Sequence, residues 1–214
     1  MVAGLRLTAS RPVLIVLAGF LAGFVHVLSG PDHLAAIAPY AVEGKRRAWR
    51  IGVRWGFGHA AGALVVGLTV LLLRDVFPVG AVSAWGERLV GMVLIAIGLW
   101  GVRTASVSPR RRHVKASHKH GHKAFAIGSL HGLAGSAHLL GVLPALALPS
   151  AIAAGGYLFL FGTGSVVAMG TFALLVGWIA GRQGASEPRA QSALLGLSSL
   201  IAVAVGVYWL YGAT

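Results

Sequence analysis

Long apolar runs separated by short basic stretches organise this chain. Pro12 to Pro31 carries no charged side chain, and the apolar character resumes from His33 to Val42. Trp55–Leu73 and Trp85–Val102 are further runs, the latter with Glu87 and Arg88 near its start. After a polar stretch from Arg103 to Lys123, Ala124 to Gly181 passes 58 residues without an Asp, Glu, Lys or Arg. A membrane helix takes about 20 mostly apolar residues, so this run divides into two crossings. Pro144 and Pro149 mark the turn between them. Ala190–Tyr211 closes the chain. The pattern predicts an all-α integral membrane protein with six transmembrane helices, the first broken at Gly30-Pro31, where proline removes a backbone donor.

Composition agrees. Of 214 residues 57% are hydrophobic and only 11% charged, against roughly 25% charged in an average soluble domain; the mean hydropathy is +0.80. Too few charges remain to coat a soluble globule, which excludes a cytosolic enzyme and a disordered chain. The absence of cysteine excludes a disulfide scaffold, a CxxC redox pair and thiolate metal sites. Lys and Arg outnumber Asp and Glu by 18 to 5, a formal net charge of +13. These cations lie between apolar runs, so they report topology rather than a nucleic-acid partner. Basic loops stay cytoplasmic. Residues 43–54, 103–123 and the segment after the fifth span hold 14 of the 18. Arg6, Arg11, Arg74 and Arg88 fall on the other side, so a multi-pass protein of the cell membrane with both termini outside is expected. Arg6 and Arg11 before an apolar run also have the form of a secretory signal. No small-x-small cleavage site follows, and retention is expected.

Residues 26–39 read HVLSGPDHLAAIAP and residues 131–144 read HGLAGSAHLLGVLP, both H-x3-G-x2-H-x5-P at an offset of 105. The same offset places Gly91 on Gly196 and Gly101 on Gly206. Three spans per half is an odd number, so the second half inserts upside down. The expected organisation is a single transmembrane domain of two inverted repeats, about 12–103 and 124–211, around a His/Arg-rich cytoplasmic loop at 104–123. Inverted repeats with broken helices and a midplane site typify secondary transporters.

His26, His33, His59, His131 and His138 lie in apolar spans, and Asp32 is the one acidic residue well inside one. Ionisable groups at membrane depth are costly and line pathways or bundle interiors; the bland alternative for each histidine is packing. His26 and His33, like His131 and His138, are seven residues apart, about 10 Å along an unbroken helix. That is too far for one metal ion, whose histidine nitrogens lie near 2 Å. The break at Gly30-Pro31 permits a compact site of Asp32 and His33 with His131 or His138. His59 lies in GFGHAAG, where Gly58 and Gly62 form a face for close helix approach. Imidazole plus carboxylate without thiolate suits Ni(II), Co(II), Zn(II) or Cu(II). His118, His120 and His122, with His113 nearby, either stage metal at the cytoplasmic mouth or belong to a solvated loop meeting anionic lipid through Arg110–Arg112.

HVLSGPDHL followed by GVRWGFGHAAG resembles the nickel/cobalt transporter superfamily, specifically its shorter, urease-accessory UreH-like membrane branch. The larger permeases of that superfamily carry H-A-x-D-A-D-H in an early helix. His26 matches its first histidine, Asp32-His33 its closing pair, and Gly58-His59 a Gly-His pair in the next helix. The spacing here is one residue longer, the first Asp is absent, and six spans replace eight. The resemblance implies a carrier of divalent transition metal, nickel or cobalt first and zinc or Cu(II) second. The metal would be cargo rather than a permanently bound cofactor; the motif match gives His26, Asp32, His33 and His59, and the repeat adds His131 and His138, with His59 beside the site the others form. Two alternatives remain: a proton-coupled carrier of another small solute, and a His-ligated haem protein of electron transfer. No HExxH or GxxxxGK sequence occurs, so neither a zinc protease nor an ATPase is expected. The partners expected are the bilayer and the ion; a homo-oligomer is compatible with the sequence.

Overall fold

The computed structural model describes residues 3–73, 79–106, 120–134, 144–145, 147–186 and 188–212. The described chain is helical almost throughout: α1 Ala3–Ser29, α2 Pro31–Gly44, α3 Ala48–Leu73, α4 Val79–Ser106, α5 His120–Ala134, α6 Ala151–Ser186 and α7 Pro188–Gly212. A 3-10 turn, Lys45–Arg47, joins α2 to α3. Among the described residues, four stretches are long and apolar enough to cross a membrane: Pro31–Thr69, Glu87–Ser106, Ala151–Arg182 and Arg189–Tyr211; Leu17–Ser29 is a shorter apolar helix.

The predicted break falls where expected. Gly30 is extended (φ −87°, ψ 102°), and Pro31 starts α2 at the position where its missing N–H costs nothing. The Gly30 N–H still donates to the His26 carbonyl at 3.1 Å, and the His33 N–H donates to the Gly30 carbonyl at 3.1 Å. The chain therefore turns a corner without orphaning its backbone, as the bilayer interior requires. The turn expected around Pro144 and Pro149 is also present, held by the Ala147 N–H on the Pro144 carbonyl. Ser150 then caps α6 by accepting the Ala153 N–H on its hydroxyl.

Three helices depart from the apolar runs. α1 begins nine residues before Pro12, and α5 begins at His120, inside the expected loop. α6 continues through Gly181 to Ser186. Hydropathy marks where a helix meets lipid, and helix propensity carries it further into water.

Glycines set the packing. Beside α6, the Gly19 and Gly23 positions of α1 meet the backbone of Tyr157 and Phe161, and Gly164 meets Phe20. The α3 glycines Gly58 and Gly62 meet Phe125 and Ser129 of α5, while Gly128 and Gly132 meet the carbonyls of Trp55 and His59. These two pairs run in the same direction. Gly91 lies against Gly206, and Gly98 and Gly101 against Ser199, so α4 and α7 run in opposite directions. Gly52 against Met169 and Gly56 against Val166 make α3 and α6 antiparallel too. The interior is rich in Ala, Gly and Ser, with Trp55, Ile37, Leu94, Met169 and Leu195 among its large buried side chains, whereas Leu21, Val25, Leu64, Leu68, Phe159, Leu175, Leu200 and Tyr208 point outward. Small residues at the helix crossings and large apolar residues on the outer faces are what helix association in lipid demands. The helices are those of a multi-pass membrane protein.

Candidate metal centre

Four helices deliver side chains to one buried point. His26 comes from the last turn of α1, Asp32 and His33 from the first turn of α2, His59 from the middle of α3, and His131 from the last turn of α5. Asp32, His33, His59 and His131 are each at most 4% exposed, and His26 is partly buried. His26 and His33 have ring centroids 4.7 Å apart. An unbroken helix would separate them by about 10 Å, so the corner at Gly30 is what makes the centre compact.

Asp32 bridges the two halves of the chain. His33 Nδ1 lies 3.0 Å from Asp32 Oδ1, and His131 Nε2 lies 3.0 Å from Asp32 Oδ2. With Asp32 ionised, both rings donate to it, and the one carboxylate is paired on both oxygens, which offsets its burial. A carboxylate accepting an imidazole N–H also fixes ring orientation and tautomer, the usual outer support of a metal-ligating histidine. Ring centroids then step around His33: His59 at 4.8 Å and His131 at 4.8 Å. His26 and His59 stand 5.9 Å apart.

Among the described residues, the candidate ligand atoms fall in two groups. Those of His26, His33 and His59 lie within 4.8 Å of one another, as do those of Asp32, His33 and His131. Five of the six residues expected at the site are thus together. The sixth, His138, lies outside the described residues, as do the structures of residues 107–119 with His113 and His118. His122 is described and exposed.

The sequence did not point to Trp55. Its indole is fully buried, stacks on His59 at 5.5 Å with a 10° interplanar angle, and lies 5.1 Å from His131. Its Nε1 has no hydrogen-bond partner among the described residues. The available signal was spacing, since Trp55 precedes His59 by one helical turn.

Comparison with known proteins agrees with the motif resemblance. Two proteins of Arabidopsis thaliana, Chloroplast protein FOR GROWTH AND FERTILITY 2 and 1, are 40% and 38% identical over 201 and 207 residues. The matches cover 88% of this chain but 54% and 56% of theirs, so the chain spans about half the length of these relatives. Urease accessory protein UreH of Bacillus sp. (strain TB-90) is 29% identical over 210 residues, covering 90% of this chain and 89% of that protein. The chain is a distant homologue of UreH. No family model and no solved structure matches it.

Proposed function

We propose that this protein is a membrane carrier for a divalent transition-metal ion, nickel or cobalt, and not an enzyme. Its intramembrane site comprises His26, Asp32, His33, His59 and His131, joined by His138. The observation that carries this reading is the convergence of four imidazoles and the one deeply placed carboxylate from four different helices, with ligand atoms within 4.8 Å in each of two groups. Packing alone gives no reason to gather costly ionisable groups at one point in lipid. Nitrogen and oxygen donors without thiolate suit nickel, cobalt, zinc or Cu(II), and the homology to UreH supports the first two.

We further infer two inverted repeats, 12–103 and 124–211. Antiparallel α4 and α7 support this, as do the matched pairings at the 105-residue offset: Gly23 lies against Phe161, and Gly128 lies against Trp55, one residue from the position that exact repetition gives. The cytoplasmic side is assigned to residues 43–54 and 104–123, and the location to the cell membrane.

The test is metal flux in proteoliposomes with nickel, cobalt and zinc, comparing wild type with Asp32→Asn. The substitution keeps size and one hydrogen-bonding oxygen but removes the charge that offsets a divalent cation. Flux in the wild type and its loss in Asp32→Asn are expected; wild-type flux in the variant defeats the reading. The hydrogen-bonded row His33–Asp32–His131 favours one rival, a proton-coupled carrier of another solute. That rival predicts proton movement without metal.

A further inference from the structure

We propose that the centre holds its ion at two overlapping positions that share His33, so that the ion crosses by exchanging ligands around one imidazole. This rests on the metal reading above and specifies how that site works. The two ligand groups, His26/His33/His59 and Asp32/His33/His131, have only His33 in common. Metal bonds of about 2.0–2.2 Å place two ligands on one ion at most roughly 4.4 Å apart. Three atoms within 4.8 Å can therefore close on an ion with small shifts, whereas the structure offers no single group containing all five residues.

The arrangement around His33 is nearly symmetric. His26 and His131 occupy the same place in the duplicated motif, and their rings stand 4.7 Å and 4.8 Å from His33. Each half of the chain thus supplies its first motif histidine to one position. Charge breaks the symmetry. The first position is all imidazole and includes the partly buried His26; the second is wholly buried and contains Asp32. The residue at the offset of 105 from Asp32 is Ala137, so the second half brings no matching carboxylate. An ion entering by the neutral position moves toward the anionic one, which compensates its charge where the surroundings are least polar. Because His33 belongs to both groups, the same ring faces both positions, and the ion passes between them beside one imidazole.

The experiment uses the purified full-length protein in nanodiscs with Co(II) as probe, read by calorimetry and visible absorption, and the same proteins in proteoliposomes. Wild type should take one Co(II) per chain. His59→Gln and His131→Gln should each still bind one Co(II), within about tenfold of wild-type affinity, with visible spectra that differ from each other. Both should fail to transport. His33→Ala and the double variant should bind none. His59→Ala and His131→Ala repeat the measurement, and only variants with wild-type elution and thermal midpoint are scored. If single substitutions at His59 and His131 remove binding as fully as His33→Ala, the site is one cage and the proposal falls. Two Co(II) bound at once, identical spectra, or transport by either single variant also overturns it. A wild-type protein that binds neither cobalt nor nickel instead overturns the metal reading itself.

Discussion

Replacing Gly30 by alanine tests how much the corner between α1 and α2 matters to the centre. The backbone there (φ −87°, ψ 102°) is one that alanine adopts without strain, so the perturbation is steric alone. A methyl group at Gly30 would press on His33 Nδ1 and stand 2.9 Å from Asp32 Oδ1, where ordinary contact begins at 3.4 Å. Asp32 and His33 must then yield by roughly 0.5 Å or more, while metal–ligand distances tolerate only about 0.2 Å. Displacement on the order of 1 Å costs about a hundredfold in a positioned site. We expect Co(II) affinity to fall about 10- to 100-fold, roughly 1.4–2.7 kcal/mol. Overpacking should lower stability by about 1–3 kcal/mol. Calorimetric titration with Co(II) and thermal unfolding in detergent measure both. Gly155→Ala and Gly156→Ala are the controls, because nothing lies within 4 Å of a methyl at either position. Wild-type metal affinity in a folded Gly30→Ala protein would refute the reasoning, since the ligands would then not depend on the geometry described.

Gly128→Val should separate α3 from α5, because its side chain would meet the Trp55 carbonyl; denaturant titration should show a loss of at least about 1–3 kcal/mol. His118→Ala and His120→Ala should slow metal flux without abolishing it, because a staging loop changes ion supply and not the selective step; complete loss of flux would move these histidines into the site. Cysteines placed singly at Ser108 and Ser117, in a chain that has none, should resist an impermeant thiol reagent in intact cells and react in inverted vesicles; labelling from outside would reverse the topology.

The residues of the centre were legible because the motif is duplicated and because histidine and aspartate are conspicuous in apolar runs. His26, His33, His59, His131 and Asp32 were all visible that way. Their distances were not. Seven residues along a helix give about 10 Å, and only the direction taken after Gly30 turns that into rings 4.7 Å apart. Trp55 was hidden for the opposite reason: a tryptophan in an apolar run is ordinary in a membrane helix, and nothing local distinguishes an indole facing a histidine from one facing lipid. The extents of α1, α5 and α6 were misjudged because helices continue past the last apolar residue wherever the following residues tolerate helix. Gly181-Arg182-Gln183, still within α6, is such a continuation.

The contacts at the helix crossings constrain how this chain can change. At Gly23, Gly128 and Gly132 the atom that a larger residue would strike is a main-chain carbonyl, of Phe161, Trp55 and His59 respectively. A collision between two side chains can be repaired by shrinking the partner. A collision with a carbonyl cannot, because every amino acid carries the same one. Second-site suppressors of substitutions at these glycines should therefore not arise at the residue they touch. They should arise along the helix, where an altered crossing lets α1, α3 or α5 slide as a unit, and each such rescue must also carry His26, His59 or His131 back to the centre.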